Sequence, residues 1–155
     1  MAAFRIECAT NHNFDTKQFK QLVVLFQELS SAATEETVRG ALDSPQNRVL
    51  VAILNDDAAP TPSSIAGALT VAMTPCASGI RVHIEDVVVS TRWRRQGIAT
   101  LLLKEAIQRA THEFHARTID LTSRPVRDAA NNLYRKLGFV QRETNVYRYE
   151  LEHKQ

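Results

Sequence analysis

The segment VHIEDVVVSTRWRRQGIATLLL, residues 82–103, constrains this chain more than any other. Val82 to Ser90 is dense in β-branched residues and reads as a strand. After Gly97, Ile98, Leu101, Leu102, Ala106 and Ile107 recur as on one stripe of an amphipathic helix, which the pattern ends near His112 to Phe114. Only TRWRRQG separates the two. A strand that passes through a short turn into a helix gathers backbone N–H groups at one spot, because the first amides of a helix have no acceptor inside it. The helix dipole adds partial positive charge there, so the spot attracts anions. Gly97 lets a ligand approach the main chain, Ala99 keeps the next turn narrow, and Arg94 and Arg95 add charge. A diphosphate suits such a place. The spacing is neither the GxxxxGK followed by Ser or Thr of a triphosphate loop nor the GxGxxG of a dinucleotide site.

The rest of the chain supplies the elements this junction must pack against. FRIECAT alternates from Phe4 as a half-buried strand does. In Phe14 to Ser30 the residues Phe19, Leu22, Val23, Phe26 and Leu29 form a helical stripe, with Asp15 or Thr16 as its cap. A short helix over Glu35 to Leu42 stops at Asp43, Ser44 and Pro45. Two apolar runs, Arg48 to Asn55 and Ser64 to Thr74, read as neighbouring antiparallel strands joined by the loop DDAAPTPS, and TPCASG turns the chain into Val82. Further on come a strand at Thr118 to Thr122, a helix around Asp128 to Leu137, and Gly138 as its stop. FVQRETNVYRYELE alternates as one or two final strands. No repeat or linker divides the 155 residues, so a single domain, 1–155, is expected.

Composition excludes some classes. With 44% of residues hydrophobic and 23% charged, the chain can bury a sizeable core. A net charge of +2 is too small for the field of a dedicated nucleic-acid binder. No run of about 18 apolar residues is present, as a membrane helix would need, and MAAFRIECATNH holds no signal-like apolar stretch. The expectation is a cytoplasmic protein that uses neither membrane nor nucleic acid. Cys8 and Cys76 lack paired metal or redox spacing and read as buried, reduced thiols, and no metal site is expected.

Arg94, Gly97 and Ala99 match Q/R-x-x-G-x-G/A, and DAANNLYRKLGF, Asp128 to Phe139, matches A-x-x-L-Y-x-K/R-x-G-F. With a strand before the first motif and a helix after it, the chain resembles the GNAT (GCN5-related) N-acetyltransferases closely over Val82 to Phe139. The resemblance implies an α+β fold: a mixed, mostly antiparallel sheet of about six to seven strands flanked by about four helices, with β-strands splayed around a cofactor cleft. It implies acetyl-CoA as donor and a primary amine as acceptor, whether small metabolite, amino sugar, polyamine or protein amine. The implied cofactor contacts are the backbone of Val87, Val88 and Val89, the loop residues Arg94, Arg95, Gln96, Gly97, Ile98, Ala99 and Thr100, and Asn131. Family members often carry asparagine seven residues before the tyrosine. This chain has Arg127 there, which would instead reach a cofactor phosphate. Tyr134 would sit beside the cofactor sulfur.

An alkyl amine, with a pKa of about 10.4, is protonated at neutral pH and cannot attack a thioester until a base takes its proton. By the period of two, His83, Glu85 and Val87 share one strand face and Ile84 and Asp86 the other. Glu85, acting through water, is the favoured base; a bulge would change the faces, so His83 and Asp86 stay open. A free N–H near Val87 would stabilise developing negative charge on the carbonyl oxygen. Tyr134 would donate to the leaving sulfur. Each residue also has a plainer reading: Tyr134 as a core aromatic, the three strand residues as a solvated face, and Trp93 with its arginines as a solvated loop. An alternative function is a non-catalytic acyl-CoA-binding sensor of the same fold. The chain would act as a monomer or homodimer.

Overall fold

In a computed structural model, which describes residues 3–55 and 64–151, the chain runs β1 (Phe4–Ala9), α1 (Thr16–Leu29), α2 (Glu35–Asp43), β2 (Asn47–Leu54), β3 (Ile65–Cys76), β4 (Gly79–Val89), a 3-10 turn (Thr91–Trp93), α3 (Ile98–His112), β5 (Thr118–Asp120) and α4 (Asp128–Lys136). The loop expected at 56–63 lies outside the described residues. Two compact units divide the chain, Met1–Thr122 and Ser123–Gln155, and the whole sheet belongs to the first.

That sheet has five strands in the order β1-β2-β3-β4-β5. The first four pair antiparallel and β5 joins β4 in parallel. Val49, Val51, Ile53, Ala68 and Val88 point to the face covered by α1 and α2, where they meet Phe19, Leu22, Val23, Leu25 and Phe26. The alternate residues Leu50, Ala52, Leu69 and Val71 are fully buried on the other face, where α3 packs across β2, β3 and β4. With both faces covered, β2 and β3 read as continuous apolar runs instead of alternating ones.

Local chemistry sets the helix ends. Asp15 accepts from the Gln18 amide while Gln18 reaches back to the Asp15 amide, a reciprocal cap that satisfies two donors at the start of α1. Thr34 and Thr37 do the same for α2. Gly138, at φ +96, follows the end of α4.

Several expectations are corrected. The sheet has five strands because 140–151 forms none; its alternating side chains Val140, Val146, Tyr147, Tyr149 and Leu151 are exposed. Alternation prepares a segment to be a strand, but a strand exists only when a neighbour completes its hydrogen bonds. The turn expected over TPCASG shrinks to Ala77 and Ser78, since Cys76 already pairs with Gly79. Pro75 is tolerated in β3 because β2 stops pairing at Ala72, leaving that edge free. Two stripe residues also move: Leu29 and Leu101 are exposed, while Leu25 and Leu103 are buried in their place. Cys8 and Cys76 are free thiols but only half-buried. Burial pushes the Cys8 thiol up, against the lowering pull of Arg109 and Arg48.

Candidate active site

The junction after β4 has an unusual supply of free donors. Among the described residues, no amide from Arg95 to Thr100 has an intramolecular acceptor; the ladder of α3 begins with Leu101 donating to Gly97 at 3.1 Å. Arg95 lies at φ +63 and Gly97 at φ +78, the latter as N-cap of α3. Left-handed residues spaced this way turn successive N–H groups toward one concavity, which suits an anion. Beside Gly97 an added Cβ would meet nothing within 4 Å, so that side of the turn is open. Arg94 folds back, its Nε donating to the Val89 carbonyl at 3.2 Å. Trp93 braces the turn from behind, edge-on to Phe4 with ring centroids 5.7 Å apart.

Gly67 holds the mouth of α3 against the sheet. A Cβ there would lie 2.9 Å from Ile98 Cγ2 and 3.2 Å from Leu102 Cδ1. The first turn of α3 therefore rests directly on the backbone of β3, which fixes where its free amides lie.

On the strand side, Glu85 pairs with Thr70 and Val88 with Ala68, so three steps along β4 match two along β3. The extra residue is a bulge. Asp86 occupies it at φ +53, a conformation that Asp adopts more readily than most residues. Asp86 and Val87 fall outside the cross-strand register. The bulge changes the faces predicted from a regular strand: Ile84 is buried away from the α1 core cluster, whereas Val88, of the same parity, lies within it. Glu85 shares a face with its partner Thr70.

That face opens into a cavity of about 220 Å³ lined by Phe26, Ser30, Ala32, Ala33, Thr37, Val38, Ala41, Thr70 and Asp86. Asp86 was expected to share a face with Ile84; the bulge turns it to the cavity instead. His83 takes a different place. It is half-buried and is the last β4 residue paired with β5, opposite Asp120. Beyond it, Ile84 to Val89 have no pairing with β5, so β4 presents a free edge there.

In the second unit, α4 carries Tyr134 on its buried side, its ring edge-on to Phe139 at 6.1 Å. Burial pushes the Tyr134 phenol above the ordinary tyrosine value, against a lowering pull from Arg127. Arg127 is the exposed residue before α4. Asn131 spends its side-chain amide on the Arg124 carbonyl at 3.0 Å and on that of Pro125 at 3.4 Å, which braces the loop before α4.

The first unit thus brings Arg94 through Thr100 together at the turn into α3 and puts Asp86 in the cavity lining, with Glu85 exposed on the strand face that it shares with Thr70. Val88 sends its side chain into the core, leaving its backbone for any ligand contact. Sequence reasoning missed Gly67, although a glycine inside a strand signals close backbone approach. It also missed the cavity wall of Phe26, Ala33, Val38 and Ala41, which looks like ordinary helix stripe and connector.

The family model described as acetyltransferase (GNAT) family matches residues 13–139, a span that crosses both units. An N-alpha-acetyltransferase of Sulfurisphaera tokodaii is 34% identical over 67 residues, 43% of this chain and 39% of that protein, so the match spans well under half of the relative's length. Among solved structures, an aminoglycoside acetyltransferase, meta-AAC0020, from an uncultured soil metagenomic sample aligns with TM-score 0.77 at 24% identity, over 97% of both chains. A transcriptional regulator from Bacillus halodurans C-125 aligns at TM-score 0.74 and 24% identity, over 96% of this chain and all of that one. Aminoglycoside N-acetyltransferase AAC(6')-Iy in complex with CoA aligns at TM-score 0.75 and 14% identity, over 97% of this chain and 96% of that one. These likenesses show a shared fold.

Proposed function

The chain belongs to the GNAT acetyltransferase family, and from that premise we propose that it transfers the acetyl group of acetyl-CoA to a primary amine in a ternary complex. The observation that carries this reading is the run of unpartnered amides from Arg95 to Thr100 at the mouth of α3. They fit a diphosphate: fixed donors, a helix N-terminus behind them, and an open side at Gly97. Arg95 adds positive charge, and the free edge of β4 at Val87 and Val89 offers backbone groups to an amide-bearing arm, as an added strand would use them.

The donor supplies an activated thioester carbonyl, and the chain manages protons around it. An ammonium must lose a proton before it attacks. Glu85 takes that proton through water, and its position beside Thr70 on the cavity face supports the role. The Val87 amide, in the segment that the bulge frees from the ladder register, donates to the carbonyl oxygen as it gains charge. Tyr134 returns a proton to the departing sulfur. A phenol, with an ordinary pKa of about 10, is protonated at neutral pH, as a donor requires, and burial raises that of Tyr134 further. Arg127 adds a cation for a cofactor phosphate.

Calorimetry with coenzyme A, followed by a free-thiol release assay with acetyl-CoA and an amine panel, tests the reading. Saturable binding and amine-dependent thiol release are expected. An absence of binding to coenzyme A would remove the proposal.

A further inference from the structure

We propose that the cavity between α1, α2 and the β4 bulge selects acceptors that carry a single ammonium on a compact apolar group, such as a short branched alkylamine or an arylalkylamine. This inference rests on the acetyl-transfer reading above and names the substrate class for it.

Size comes first. About 220 Å³ is below the ~300–1,000 Å³ of pockets that hold drug-sized ligands. At roughly 30 Å³ per water in the liquid it holds about seven heavy atoms, which suits a branched alkyl chain or one aromatic ring. Chemistry comes next. Phe26, Ala33, Val38 and Ala41 give the wall an apolar surface, and Val38 and Phe26 are themselves core residues with little freedom to withdraw. The wall's own hydroxyls are those of Ser30, Thr37 and Thr70; Thr37 donates to the Thr34 carbonyl and Ser30 accepts from the Ala32 amide, which leaves few partners for the many hydroxyl groups of a sugar, and burying those unpaired is costly. Charge decides the rest. Among the described lining residues only Asp86 is charged, and one carboxylate complements one ammonium. A polycation would bring further charges with no partner in this wall.

The bulge makes Asp86 available for this. In a regular strand its side chain would lie with Ile84, against the α3 side of the sheet; at φ +53 it lines the cavity instead. Asn also tolerates the left-handed conformation, so Asp86→Asn removes the charge while keeping the backbone.

The test measures kcat/KM for 3-methylbutylamine, phenethylamine, spermidine and sisomicin with acetyl-CoA, alongside calorimetry with coenzyme A and thermal melting. The two monoamines are expected to lead the panel. Ala41→Leu, which fills the cavity, should lower kcat/KM for them about tenfold or more, and Asp86→Asn should raise their KM about tenfold. Both variants should bind coenzyme A as the parent does. Preference for sisomicin or spermidine, or unchanged monoamine kinetics in both variants, overturns the substrate class and leaves acetyl transfer standing. Failure of the parent protein to bind coenzyme A overturns both. If Ala41→Leu melts early, Ala33→Leu fills the same cavity from the α1–α2 connection and carries the same expectation.

Discussion

A methyl group added to Gly67 would stand 2.9 Å from Ile98 Cγ2 and 3.1 Å from the Val88 carbonyl oxygen. The missing side chain in β3 is thus what lets the first turn of α3 settle on the sheet, with its free amides facing outward.

Gly67→Val should therefore act on stability and on the ligand together. Overpacking of this kind costs roughly 1–3 kcal/mol, and the displaced helix should bind coenzyme A more weakly. Melting and calorimetry on the same sample check this; a lowered Tm with unaltered affinity would separate the packing from the site.

At Gly97, φ +78 excludes a β-branched side chain except at a cost of about 1–2 kcal/mol. Gly97→Val is expected to lose coenzyme A affinity by an order of magnitude or more, because the turn must relax and swing its amides away. An unchanged Kd would break the link between this turn and the cofactor.

The phenol of Tyr134 is raised by burial. The folded chain holds that proton more tightly than the unfolded one, so the associated stability is intact below about pH 10 and is lost as pH climbs through the folded value. Tyr134→Phe should reduce kcat about 100-fold, the lower end for a lost proton donor, and should abolish the part of the alkaline loss of Tm that tyrosine ionisation causes. Melting curves from pH 8 to 11 and steady-state kinetics read the two effects separately.

Cys8 provides a check away from the site. Its thiol is raised by burial, and the thiolate is the reactive form. Alkylation by iodoacetamide at pH 8 should run slower at Cys8 than at a free cysteine in solution, as mass spectrometry of timed samples would record.

Asp15→Ala removes the reciprocal cap of α1. A loss of about 1 kcal/mol is expected, or about 2–4 °C in Tm for a chain of this size, with acetyl transfer by the folded protein unaffected.

Much of this site is legible in residue order. β-Branched Val82 to Val89 forms the strand, and the step to periodic apolar residues after Gly97 marks the helix. The run of free amides follows because helix starts always leave some unpaired. The faces of β4 are not legible. His83, Glu85 and Val87 share a face only in a regular strand, and the bulge at Asp86 depends on how β4 registers against Thr70 and Ala68 of β3. The tail failed for a related reason: FVQRETNVYRYEL has the alternation of a strand but no ladder partner among the described residues.

By itself, then, the order of residues determined which segments coil, which extend apart from the tail, where α3 begins and which motifs name the family, since all of these depend on neighbours within a few positions. Tertiary structure alone decided that Asp86 faces the cavity, that Gly67 seats α3, and that Phe26, Val38 and Ala41 together line one half-open hollow. Those facts depend on strand register and on side chains far apart in the chain meeting at van der Waals distance, and no local pattern encodes such meetings.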